Sequence, residues 1–92
     1  MKKSIPPKLE LSQNWPNPYL NKTVIPFTLD FPCHVTLSVE NGRGVTVCVI
    51  LDKELDMGSH LISFHADKLG RGSYLYRLDA GGRVLTRQMC VE

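Results

Sequence analysis

Val35–Leu51 reads VTLSVENGRGVTVCVIL. Val35, Leu37 and Val39 alternate with Thr36, Ser38 and Glu40, the period-two pattern of a strand with one buried face. Asn41-Gly42-Arg43-Gly44 comes next, and Asn and Gly tolerate the positive φ that tight hairpin turns require. Val45, Val47, Val49 and Leu51 then resume the alternation. A hairpin of two long strands is therefore expected here, and the rest of the chain repeats the pattern on both sides.

Upstream, Leu9 and Leu11 begin a short strand that ends at a corner, Asn14-Trp15-Pro16-Asn17-Pro18-Tyr19. Proline fixes φ and lacks a backbone donor, so Pro16 and Pro18 make this a stiff corner, with Trp15 and Asn17 pushed toward extended backbone. Ile25, Phe27 and Leu29 alternate with Pro26, Thr28 and Asp30, and Pro26 suggests an edge strand. Asp30-Phe31-Pro32 breaks the chain before the hairpin. Downstream, a polar loop closes at Gly58, and His60, Ile62 and Phe64 form the next alternating set. Ala66–Gly72 is expected to connect with one helical turn that tucks Leu69 under the sheets. Tyr74, Tyr76 and Leu78 give another strand, turned by Asp79-Ala80-Gly81-Gly82.

The last strand spans Arg83–Val91, where Leu85, Met89 and Val91 share a face with Arg87. Either a bulge separates them or the Arg87 guanidinium extends past the core rim. Short strands at intervals of roughly 8–12 residues define an all-β fold, an antiparallel immunoglobulin-like β-sandwich of about seven strands. Residues 1–8 read as a loose tail and 9–92 as one domain.

Composition narrows the function classes. With 92 residues, 42% hydrophobic and 22% charged, the chain has an ordinary globular make-up. A net charge of +2 with scattered basic residues gives no nucleic-acid footprint, and Lys2, Lys3 and Lys8 read as a solvated cluster. The longest apolar run, Val45–Leu51, falls far short of the ~20 residues of a membrane-spanning helix, so no membrane insertion is expected. Met1-Lys2-Lys3 resembles the start of an export signal, but Ser4, Pro6, Pro7 and Lys8 stand where its apolar run would be, so none is expected on this chain.

Cys33, Cys48 and Cys90 are odd in number and lack metal-ligand spacing, and they read as small, partly buried residues with at most one pair. His34, His60 and His65 show no metal spacing with them. The acids Asp30, Asp52, Asp56, Asp67 and Asp79 are dispersed, which leaves a calcium site assembled from separate loops only as a minor alternative. Asn21-Lys22-Thr23 matches the glycosylation triplet and reads as turn chemistry. Ser59 with His60, and Cys33 with His34, are adjacent strand residues whose side chains diverge, so no nucleophile–base pair forms and no enzyme is expected. No cofactor or metal is expected. A carbohydrate-binding face would need Trp15, Tyr19, Tyr74 and Tyr76 on one exposed surface, and Tyr74 is expected to be buried. The aromatic pair of the corner is expected to close one end of the sandwich, through Trp15 or Tyr19.

Five stretches, NWPNPY (14–19), VENGRGV (39–45), MGSHLISF (57–64), LGRGSYLYRLDAGG (69–82) and TRQM (86–89), succeed one another in an order that resembles the C-terminal sorting domains of the type IX secretion system. The Ig-like part of flagellar hook-capping proteins has a related layout. Trp15 and Tyr19 stand for the two aromatics of the family's Tyr-Pro-Asn-Pro-Phe corner, and Phe64 stands where the family usually has Trp. Gly72-Ser73-Tyr74 matches its Gly-x-Tyr step and Arg87 its basic residue before the final apolar pair. Cys90-Val91-Glu92 departs from the family's common Lys or Arg ending.

The resemblance implies a non-catalytic domain that docks an exported protein to the outer-membrane translocon, at the cell surface or on the way out of the cell. Its partners would be proteins. The expected recognition residues are Gly72, Tyr74, Arg77, Gly81, Gly82, Arg87 and Met89, with the free edge of the last strand open to a partner sheet. Trp15, Pro16, Asn17, Pro18 and Tyr19 form the structural corner. The alternative is a stand-alone Ig-like structural or interaction module.

Overall fold

A computed structural model describes residues 8–19, 21–67 and 69–92. Seven strands carry the described chain: β1 (Glu10–Leu11), β2 (Lys22–Leu29), β3 (Cys33–Glu40), β4 (Thr46–Leu55), β5 (Gly58–His65), β6 (Gly72–Ala80) and β7 (Arg83–Val91). They form two sheets, one ordered β1-β2-β5 and the other β4-β3-β6-β7, and all neighbours are antiparallel. The fold is an immunoglobulin-like β-sandwich in which the fourth strand lies beside the third, in the larger sheet.

Alternation does the folding work. Ile25, Phe27 and Leu29 of β2 are buried, as are Val35, Leu37 and Val39 of β3, Tyr76 and Leu78 of β6, and Met89 and Val91 of β7. These inward rows meet between the sheets, as expected where strands present every second residue to a common core.

The hairpin forms between β3 and β4, but the residue that needs positive φ is Gly44, at 76°. Asn41 instead folds its own side chain back, its Oδ1 accepting from the amides of Arg43 (2.9 Å) and Val45 (3.1 Å). This is an Asx turn, which makes Asn41 useful without a left-handed backbone. Two register shifts then interrupt the β3–β4 ladder. At the other hairpin, Gly81 and Gly82 take φ of 58° and 84°, the two-residue turn that brings Ala80 opposite Arg83.

Pro26 corrects the expectation of an edge strand. It lies in β2, the central strand of the smaller sheet, opposite Leu61 of β5. Its nitrogen faces the side of β1, where Ser12 N donates to Pro26 O at 3.0 Å. In a regular antiparallel pair the return bond would run from residue 26 to Ser12 O, and proline cannot make it. The Tyr76 hydroxyl fills that place, donating to Ser12 O at 2.6 Å.

The remaining expectations resolve locally. The β6–β7 register is unbroken, so no bulge separates Arg87 from the apolar residues of its strand. Arg87 is exposed at the rim, and its Nε donates to the carbonyl of Leu11. Leu69 is half-buried, and its amide donates to Ala66 O at 2.9 Å, closing a single turn. Lys68 in that connector, and residues 1–7 of the expected tail, lie outside the described residues. Cys33, Cys48 and Cys90 are all free thiols, so the possible pair does not form.

Candidate interaction surfaces

The corner is built around two buried polar residues, Asn14 and Thr23. Three residues carry the chain from Ser12 to Trp15, while β2 covers the same step with two, from Pro26 to Val24. The extra residue turns Asn14 inward, as bulges do. There its backbone amide donates to the Tyr76 hydroxyl at 2.8 Å and its Nδ2 donates to Thr23 Oγ1 at 3.0 Å. Thr23 Oγ1 in turn donates to Pro16 O at 2.9 Å. The Trp15–Pro16 and Asn17–Pro18 peptides are both cis.

Beyond Asn14 the corner runs parallel to the end of β7 and is laced to it. Gln13 Nε2 donates to Gln88 O (2.8 Å), Cys90 N to Asn17 Oδ1 (2.9 Å), Tyr19 N to Cys90 O (3.1 Å) and Glu92 N to Tyr19 O (2.8 Å). This corrects the expectation of an open final strand. The outward backbone groups of Gln88 and Cys90 are largely taken, and only the Val84–Thr86 part of that edge shows no bond to a described residue.

Of the two corner aromatics, Tyr19 closes the end of the sandwich and Trp15 does not. Tyr19 is 2% exposed, its hydroxyl lies 3.4 Å from Met89 Sδ, and burial pushes its pKa up to about 12. Trp15 is 77% exposed. Its backbone pairs with Val24 through two 2.9 Å bonds, so both side chains stand on the outer face of the smaller sheet.

The expected recognition residues are spread over the larger sheet. Arg77 is partly exposed on its outer face, 3.7 Å from both Glu40 and Asp79. Gly72, Gly81 and Gly82 are exposed at strand ends. Met89 is fully buried, so its side chain packs the core and is not presented to a partner. Tyr74 is half-buried, against the expectation of full burial, and its hydroxyl donates to Gly70 O at 2.7 Å. Trp15, Tyr19, Tyr74 and Tyr76 therefore share no exposed face.

Two polar clusters escaped the sequence reading. Arg83 forks onto Asp30 with bonds of 2.7 and 2.8 Å, and its guanidinium lies 4.6 Å from the Phe31 ring centre. The Arg83 bond holds the Asp30 carboxyl below its ordinary range. On the outer face of the larger sheet, the two ring nitrogens of His34 meet Asp52 Oδ1 and, at 3.3 Å, Glu54 Oε1. Thr36 Oγ1 also donates to Asp52, at 3.2 Å. The carboxylate of Asp52 raises the pKa of His34, and the imidazolium lowers that of Asp52. Pairing of β3 with β4 creates the His34 cluster, and packing of the β2–β3 connection against the start of β7 creates the Arg83 pair, from residues 16 to 53 positions apart, a distance no local pattern reports.

Cys33 is buried while His34 is exposed, and His60 turns inward to stack on Phe27 with ring centres 5.2 Å apart. Among the described residues no group of three or more His, Cys, Asp or Glu is placed to hold a metal ion, and no helix is long and apolar enough to cross a membrane. The chain matches no protein-family model and no curated protein.

Proposed function

We propose that this chain is a non-catalytic sorting domain that docks an exported protein to an outer-membrane translocon of the type IX kind. The lacing of the Gln13–Tyr19 corner onto Gln88–Glu92 carries this reading. It makes one continuous surface from the first and last of the five motifs on which the resemblance rests. The strand β6, which holds Gly72 and Arg77, lies beside β7 in the same sheet, and Gly81 and Gly82 form the turn between them. Arg77 and Arg87 offer cations to acidic groups of a protein partner, and the exported cargo would reach the cell surface or the medium.

The test is a fusion of residues 9–92 to a reporter that carries a signal peptide, expressed in a bacterium with this secretion system. Arrival of the reporter at the surface or in the medium supports the reading. A reporter retained in the periplasm overturns it.

A second reading, a stand-alone Ig-like interaction module, is favoured by the exposed indole of Trp15. The mass of the native gene product separates the two, since a sorting domain belongs to a larger precursor.

A further inference from the structure

The outer face of the smaller sheet carries an apolar centre between charged ends. Along β2 its outward residues are Lys22, Val24, Pro26 and Thr28, the positions between buried Thr23, Ile25, Phe27 and Leu29. Trp15 stands beside Val24 on one side. Leu61, 73% exposed, stands beside Pro26 on the other. An indole and a leucine this exposed, joined by two half-buried apolar residues, form a contiguous patch of the kind that marks interaction sites.

The charges lie at opposite ends of that patch. Lys22 heads β2 opposite His65, and Glu10 pairs with Thr28 at the far end. Both Lys22 and Glu10 are exposed. Six residue steps along β2 separate the two ends, about 20 Å along the strands, and the three strands span roughly 10 Å between outer axes.

We propose that this face packs against the same face of a second copy of this chain, about a two-fold axis that crosses the strands. Such an axis reverses strand direction between the copies. It brings the Lys22 end of one copy over the Glu10–Thr28 end of the other, twice. It also sets each Trp15 over the Ser12–Pro26 row of the opposite copy. An axis along the strands would instead put Lys22 against Lys22 and Glu10 near Glu10, which like charge disfavours. The uncharged centre with a charged rim is the layout of protein interfaces, and a two-fold makes one patch serve both sides. The footprint is smaller than the ~800 Å² per partner of a standard interface, so the association is weak and concentration-dependent.

Trp15 is the only tryptophan, so its fluorescence reports this face directly. Sedimentation from about 5 µM to about 1 mM should show a monomer passing to a dimer, with the emission shifting to the blue over the same range. Lys22→Glu or Glu10→Lys alone should weaken association at least tenfold, and the double exchange should restore it. Leu61→Arg should abolish it while leaving the melting curve unchanged, because that side chain is exposed. A protein that stays monomeric at 1 mM overturns the proposal. So does a dimer whose Trp15 emission does not move, or one in which the double exchange fails to restore what the single changes lose. None of these outcomes depends on secretion, so this proposal and the sorting role fail separately.

Discussion

The Tyr76 hydroxyl occupies the hydrogen-bonding place that Pro26 vacates. It donates to Ser12 O, which a residue other than proline at position 26 would bond, and it accepts from Asn14 N. One side chain of the larger sheet thus completes the ladder of the smaller one. A proline in a central strand is tolerated because a phenol reaches across the core to replace its missing donor.

Tyr76→Phe should therefore destabilise the domain by about 1–3 kcal/mol, since it leaves Ser12 O and Asn14 N without partners beside the core. Pro26→Ala restores an N–H facing Ser12 O. In the Tyr76→Phe background it should recover part of the loss, and in the wild type it should not stabilise. Urea melts of the four proteins measure the coupling. Equal effects of Pro26→Ala in both backgrounds would show that the two residues do not share that acceptor.

The corner aromatics should behave oppositely. Tyr19→Ala removes a ring packed against Met89 and should cost about 3–5 kcal/mol. Trp15→Ala should stay within about 0.5 kcal/mol in dilute solution, because the indole touches little of its own chain. Thermal melts decide between them.

Tyr19 also sets an alkaline limit. Its folded pKa, about 12, lies above the unfolded value near 10. The stability linked to it is complete below pH 10 and is lost as pH rises through the folded value. Burial raises the pKa of Tyr76 as well, so absorbance titration should show two tyrosines ionising late, and Tyr19→Phe should remove the later step.

His34 and Asp30 give titrations of opposite sign. The folded pKa of His34 is raised by Asp52 and Glu54, so its contribution is complete below about 6.5 and disappears as pH rises through the folded value. Proton resonances of the His34 ring should titrate above 6.5, and Asp52→Asn should bring the midpoint down. Asp30 is lowered by Arg83, so its contribution exists above about 3.9 and is lost as pH falls through the folded value. Acid melts of Asp30→Asn should show a shallower loss between neutral pH and about pH 3 than the wild type.

Strand number, hairpin positions and most of the core were legible because the alternation of Ile25–Leu29, Val35–Val39 and Tyr76–Leu78 reports burial directly. Pro26 misled because its chemistry says which way a nitrogen faces, not which strand is outermost. The nitrogen of Pro26 does face away from a full partner, yet two residues of β1 and a tyrosine hydroxyl cover that side. The corner's outer role was hidden for a related reason. Trp15 attracts attention as a core residue, and only its pairing with Val24 turns it outward. The sequence did hold a signal for the exposed patch: Val24, Pro26 and Leu61 are apolar residues at positions out of phase with their own buried rows.

The parallel run of the corner beside β7 has a mechanical consequence. Force applied through the two ends of the described chain pulls Gln13–Tyr19 one way and Gln88–Glu92 the other. That direction loads the four connecting bonds side by side in shear, so they resist together and do not peel open one after another.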